Sequence, residues 1–262
     1  MARALRPSSP AAAYFAPPLP RVFAHRGLAT NAPENTLLAF AHAVSAGATY
    51  IETDVHASAD GAAIVCHDED LRRVAGRNIR VNQLTRSELA RIDLGHGQGF
   101  VTLAEALDAF PQMRFNIDIK SRDAVAPTVA TIEKLGAVDR VLLTSFNEDR
   151  RRSAVRALPG VATSASARVF LSALIAGKAR ASVALTRALR GVHAVQVPVR
   201  ALGLAVATRP MIERLHAVGV EIHIWTINDP VDMAGLLDLG VDGIVTDRAD
   251  LALELVGRRL PA

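Results

Sequence analysis

The chain has 262 residues, half of them hydrophobic, with a single cysteine and a formal net charge of +4. That length can bury a full core and suits one α/β domain rather than two, and the lone Cys66 excludes an internal disulfide. The sequence pI of 9.8 comes from arginine, since Lys120, Lys134 and Lys178 are the only lysines, and scattered arginine without interleaved aromatics argues against nucleic-acid binding.

Residues 1–20 hold Arg3, Arg6 and a run of alanines followed by Pro17, Pro18 and Pro20. They contain no continuous apolar stretch of signal-peptide type, and are expected to form a mobile N-terminal arm ahead of one domain spanning residues 21–259. Runs of β-formers then recur at 22–25, 50–55, 114–119, 141–145, 161–165, 194–197, 222–227 and 243–246. Amphipathic segments such as 35–46, 124–135, 210–218 and 230–239 lie between them. About eight βα units in a chain of this length predict a (β/α)8 TIM barrel rather than an open doubly wound sheet. Gly47, Gly136, Gly219 and Gly240 follow helical runs where left-handed caps belong, and Asn31 with Glu34 three residues on predicts a capping box.

The second unit departs from this regularity. Asp60-Gly61 signals a turn and residues 63–66 an extra strand, so a small insertion over residues 61–101 is expected after the second barrel strand. The basic run 170–190 is read as a solvated face, with an anionic membrane surface as its other use. Arg168, Lys178 and Arg180 interrupt the most apolar window, so no membrane span is expected and the protein is expected to be soluble and cytoplasmic.

Two strands carry their charges on an unusual face. In Tyr50-Ile51-Glu52-Thr53-Asp54-Val55, alternation puts Glu52 and Asp54 on one side and Ile51, Thr53 and Val55 on the other. Asn116, Asp118 and Lys120 interleave with Phe115, Ile117 and Ile119 in the same way. Acids offered to one interior from two strands need compensation, because an unpaired buried carboxylate costs several kcal/mol, and a bound cation is the usual remedy. A metal site in the mouth of the barrel is therefore expected.

The remaining motifs fall at strand ends, where barrel chemistry belongs. His25-Arg26-Gly27, Pro33-Glu34-Asn35-Thr36, Glu52-Thr53-Asp54, His67-Asp68, Asp118-Ile119-Lys120, Trp225-Thr226-Ile227-Asn228 and the run from Asp242 to Asp247 follow in this order. Together they resemble the glycerophosphodiester phosphodiesterase family over residues 21–250. The resemblance implies a metal-dependent hydrolase that converts a small-molecule glycerophosphodiester to sn-glycerol 3-phosphate and an alcohol. It implies that Glu52, Asp54 and Asp118 hold one divalent cation, Mg²⁺ or Ca²⁺ with Mn²⁺ a further candidate, as oxygen-only ligands suit hard cations. It gives His25 and His67 as the general acid and base, Arg26 and Lys120 as neutralisers of phosphoryl charge, and Trp225 as a wall of the glycerol pocket. One position departs from the pattern: Asp118 stands where the family has Glu, shorter by roughly 1.5 Å of reach.

Other residues are expected to have plainer roles. His193, His216 and His223 are left outside the site, Glu34 is read as completing its helix cap with contact to the site as its other use, Asn35 as serving the helix start, and Asp242 and Asp247 are assigned to structure at a strand end. Two alternative functions remain. A lysophospholipase D would need an apolar trough beside the mouth, which the insertion does not obviously supply, and a catalytically dead phosphodiester-binding protein is opposed by the presence of both His25 and His67.

Overall fold

The structure, a computed structural model, describes residues 9–259. Its strands are, in chain order, β1 (Arg21–His25), β2 (Tyr50–Ala57), β3 (Ala63–Val65), β4 (Asp70–Leu71), β5 (Arg77–Arg80), β6 (Arg114–Ile119), β7 (Val141–Thr144), β8 (Ala162–Thr163), β9 (Ala194–Val197), β10 (Arg200–Ala201), β11 (Leu204–Ala205), β12 (Glu221–Ile224) and β13 (Gly243–Thr246). Eight of them run parallel in the order β8-β7-β6-β2-β1-β13-β12-β9. A parallel bridge from Ser164 to Ala194 joins the two ends. This is the expected (β/α)8 barrel, and helices lie between most of the barrel strands.

Alternation along the strands sorts side chains into two shells. Outward residues such as Ile51, Phe115, Ile117, Val195 and Ile222 pack in the main core with the surrounding helices. Inward residues change character with height. Phe23, Tyr50, Leu142, Ala162, Ala194 and Val245 form an apolar cluster low in the barrel, whereas the next inward positions include His25, Glu52 and Asn116. Register fixes this layering, since Phe23 pairs with Tyr50, His25 with Glu52, Glu52 with Asn116 and Asp54 with Asp118. Gly243 is inward too: a Cβ there would lie 2.9 Å from the Phe23 ring and 3.0 Å from His223, so a side chain would overfill the barrel.

The expected mobile arm is not what the described residues show. Residues 1–8 lie outside them, but Pro10–Tyr14 forms a short helix capped by Ser9, whose Oγ accepts from Ala12 N. Tyr14 is fully buried and meets Tyr50 edge-on, at 5.3 Å between ring centroids. Arg21 ties this segment down, donating to Tyr50 Oη at 2.7 Å, to the carbonyls of Phe15 and Pro17, and to both carboxylate oxygens of Glu221. The segment closes the lower end of the barrel. An inward layer of aromatic side chains needs a lid against water, and Tyr14 and Phe15 supply the apolar surface for it.

The segment after β2 is compact. β3 pairs antiparallel with the end of β2, β4 pairs with β5, and Ile64, Cys66, Leu71, Val81, Leu89, Ile92 and Phe100 form their own small core. The Cys66 N–H donates to Asp54 O at 3.0 Å, which sets His67 at the mouth of the barrel. The helix after β1 runs from Leu37 to Ser45 with Thr36 as its cap. The anticipated Asn31–Glu34 capping box is therefore replaced, and Glu34 is free for another partner.

Candidate active site

One cavity of about 490 Å³ opens at the C-terminal ends of the barrel strands, and His25, Arg26, Glu52, Asp54, His67, Asp118, Lys120 and Trp225 all line it. Every site residue anticipated from the sequence is thus brought to one place. β1 and β13 set the first histidine. His25 Nδ1 lies 2.6 Å from Asp247 Oδ1, and its Nε2 faces Glu52 at 3.9 Å. Burial works against the protonated ring, but the Asp247 hydrogen bond and the Glu52 charge outweigh it and raise the His25 pKa. Asp247 is held in turn by Asn228 Nδ2 at 2.8 Å.

The assignment of Asp247 to structure alone therefore needs correction, because its carboxylate orients His25. A signal was present: Gly243, Val245 and Asp247 share strand parity, and the first two face inward. Asp242 does serve structure, accepting from Ile222 N and His216. His193 and His223 likewise bond outside the cavity, to Thr163 N and Glu221.

Arg26 and Asn35 both adopt positive φ, at 56° and 58°. The loop between them folds back so that Asn35 N donates to Arg26 O, and next to it Gly27 sits against the Leu37–Ser45 helix, where a Cβ would lie 2.7 Å from the Ala39 carbonyl carbon. Only glycine fits that approach. Asn35 then reaches the acids: its Nδ2 donates to Asp54 Oδ2 at 3.1 Å and its Oδ1 accepts from Thr53 Oγ1 at 2.7 Å. Glu34 leaves the helix start altogether. It accepts from Arg26 and from Arg73, Arg73 also donates to Asp68 Oδ2, and Asp68 Oδ1 lies 2.7 Å from His67 Nδ1. A chain of ion pairs thus runs from Arg26 across the insertion to His67. Sequence reading missed Asn35 and Arg73 as site supports because Asp54 and Glu34, which they bond, lie 19 and 39 residues away. Asp68 is next to His67 in the chain, but adjacency alone does not show that its carboxylate turns back onto the ring.

Three carboxylates crowd the floor. Lys120 Nζ stands between Asp54 Oδ1 at 2.8 Å and Asp118 Oδ2 at 2.7 Å. Burial raises the pKa of Glu52, and the neighbouring Asp54 charge adds to it. Asp54 goes the other way: burial opposes ionisation, but Lys120 and Arg26 together hold it ionised. Burial also raises Asp118, whose Oδ1 is buried without a hydrogen-bond partner. Among the described residues no three acid, histidine or cysteine side chains form a ready ligand set, and Lys120 occupies the space between two of the acids. The donor chemistry nevertheless fits a hard divalent cation. All three groups offer oxygen, one oxygen is unpartnered, and the cluster is short of positive charge.

The opposite side of the cavity is apolar. Phe146, Phe170, Leu171, Leu174, Leu202 and Trp225 line it, with Phe146 and Trp225 edge-on at 6.1 Å. Phe170, Leu171 and Leu174 come from the helix Ala167–Lys178, Leu202 from the β10–β11 hairpin, and Phe146 and Trp225 from the segments that follow β7 and β12, so none of this wall comes from the insertion.

With this geometry in place, comparison with known proteins decides the family. The glycerophosphoryl diester phosphodiesterase family matches residues 25–251. The chain belongs to that family. It is 42% identical over 235 residues to the Mycobacterium tuberculosis protein named probable glycerophosphodiester phosphodiesterase 2, covering 89% of each chain. A crystal structure of glycerophosphodiester phosphodiesterase from Agrobacterium tumefaciens superposes with a TM-score of 0.76 at 27% identity, covering 90% of this chain and 99% of that one. The fold is also shared with an Oleispira antarctica phosphodiesterase solved in complex with sn-glycerol-3-phosphate, with a TM-score of 0.78 at 24% identity over 94% of this chain and 99% of that one. Membership makes the chain a phosphoric diester hydrolase.

Proposed function

We propose that the cavity hydrolyses glycerophosphodiesters to sn-glycerol 3-phosphate and an alcohol, with His25 and His67 as the proton-transfer pair. The observation that carries this reading is the convergence of two histidines, each paired with its own aspartate, above one acidic cluster with Arg26 and Lys120. Water attacks phosphorus, directly or to open the cyclic phosphate that a prior attack by the substrate's own glycerol hydroxyl leaves. The bond from phosphorus to the alcohol oxygen breaks, one imidazole takes the attacking hydroxyl's proton and the other protonates the departing oxygen. Asp247 and Asp68 fix the two rings by bonding Nδ1, leaving Nε2 of each for the reacting groups. Lys120 has three N–H donors. Two go to Asp54 and Asp118, so the third serves a phosphoryl oxygen beside Arg26.

Glu52, Asp54 and Asp118 would hold one divalent cation, Mg²⁺ or Ca²⁺, with Mn²⁺ also suited to the oxygen donors. When bound, it supplies Lewis-acid polarisation at the phosphoryl group. Trp225 and Phe146 give the glycerol carbons an apolar wall. The shorter Asp118 keeps its place in the cluster through Lys120.

A second reading rests on that wall. The apolar residues from Phe170 to Leu202 extend beyond what a glycerol unit covers, and suit an aliphatic chain kept on one substrate arm. This is the lysophospholipase D reaction, and a human lysophospholipase D is 25% identical over 265 residues. Assaying the purified protein on glycerophosphocholine, glycerophosphoethanolamine and lysophosphatidylcholine tests both. Release of sn-glycerol 3-phosphate from the soluble diesters supports the first reading, and a preference for lysophosphatidylcholine the second. No hydrolysis of any of them contradicts both.

A further inference from the structure

Charge is distributed very unevenly along this chain. Between Arg150 and Ile212 it carries ten arginines and one lysine but no aspartate or glutamate, although the whole chain is only +4. The same segment holds most of the exposed large apolar side chains. Ile175 is 62% exposed, Val183 82% and Leu202 78%, with Leu171 and Leu204 also exposed. A soluble surface rarely gathers both features without a partner.

The fold places them side by side. Leu171 and Ile175 are one turn apart on the Ala167–Lys178 helix and so share a face. The Ser182–Ala188 helix packs directly against it and presents Val183 and Arg187. Lys178 Nζ donates to Ala205 O at 2.7 Å, which ties the β10–β11 hairpin, with Leu202 at its tip, to the end of the first helix. Leu171 and Leu202 also line the catalytic cavity, so the patch begins at its rim. Among the described residues, Arg180, Arg187, Arg190 and Arg200 have no carboxylate within 4.0 Å, unlike Arg151 and Arg152, which pair with Glu148. Glu148 and Asp149 border Arg168 in a surface depression, and Arg168 is left out of the patch for that reason.

We propose that this face, formed by the helices Ala167–Lys178 and Ser182–Ala188 and the β10–β11 hairpin, docks on an anionic lipid surface and seats the cavity mouth against the headgroups. Arginines free of acids meet the phosphates, while Ile175, Val183, Leu202 and Leu204 enter the boundary between headgroups and acyl chains. A nucleic acid would share the charge complementarity. It would gain little from branched aliphatic side chains, since its bases stack on aromatic rings.

The test is flotation of the full-length protein with vesicles of phosphatidylcholine alone and of equal parts phosphatidylcholine and phosphatidylglycerol. The protein should float with the anionic vesicles only, and less as salt rises. Two double variants, Arg187→Glu with Arg190→Glu and Ile175→Asp with Val183→Asp, should each lower the bound fraction's partition coefficient by about tenfold or more. All four positions are solvent-facing, and a thermal melt matching the parent confirms that the variants fold. Equal flotation with neutral vesicles, none with anionic ones, or parent-like binding by both variants would overturn the proposal. So would tighter binding to a DNA duplex that the Ile175/Val183 variant retains, which would give the face to nucleic acid.

Discussion

His25 Nδ1 and Asp247 Oδ1 stand 2.6 Å apart, joining the first barrel strand to the residue that follows the last. The bond fixes the ring and leaves Nε2 toward the cavity. Asp247→Ala should lower kcat by roughly 10-fold to 100-fold with little change in KM, since the aspartate acts through the histidine and not on substrate. It should also move the His25 titration, followed by NMR, to lower pH. Burial alone depresses that pKa, and Asp247 is the first of the contacts that raise it. An unchanged titration would remove Asp247 from this role.

The lower lid makes a stability prediction. Tyr14 is fully buried among Phe15, Phe23 and Tyr50, so Tyr14→Ala should cost about 3 kcal/mol or more in denaturant unfolding. Activity per folded molecule should be kept, because the lid lies at the far end of the barrel from the cavity. A loss below about 0.5 kcal/mol would mean that the segment adds nothing to the core.

Glu221 and Arg21 give the fold an acid limit. The Glu221 carboxyl is partly desolvated, but hydrogen bonds from Arg21 and His223 take its pKa down to about 2 from the usual 4.5. A depressed carboxylate pKa contributes stability above the unfolded value and loses it as pH falls through the folded one. At neutral pH the shift is worth about 3 kcal/mol. Glu221→Gln should therefore unfold more easily at pH 7, and the gap from the parent should close between pH 4.5 and pH 2. A gap independent of pH would contradict the linkage.

Asp118 is the departure from the family pattern and lies opposite Asp54 in register. Asp118→Ala should weaken divalent-cation affinity sharply in calorimetry, whereas Asp118→Glu should be mild and alter the preference between Mg²⁺, which demands tight octahedral geometry, and Ca²⁺, which tolerates longer bonds. Parent-like affinity in Asp118→Ala would place the third ligand elsewhere.

Much of this molecule was legible in the chain, for local reasons. β2 and β6 each alternate acids or amides against aliphatics, and a period of two is readable without knowing the partner strand. Tyr14 and Phe15 were hidden because a five-residue alanine-rich helix shows no periodicity, and only the barrel's open lower layer explains why aromatics sit there. Glu34 was misread for a related reason. Its spacing from Asn31 fits a cap, but two arginines, one of them 39 residues away, compete for the carboxylate and win. Lys120 was expected to face phosphate alone, and the register that sets Asp54 beside Asp118 also draws its ammonium between them.

The central claim is that this cavity hydrolyses glycerophosphodiesters with a divalent cation on the acidic cluster and the two histidines moving protons. Its most direct measurement is sn-glycerol 3-phosphate release from glycerophosphocholine by metal-stripped protein, before and after Mg²⁺ or Ca²⁺ is added, for the parent, His25→Ala and His67→Ala. The account predicts no release by the stripped parent, recovery with metal, and kcat at least about 100-fold lower in both folded variants. Full turnover by metal-free protein, or a loss under about threefold in either histidine variant, would contradict it.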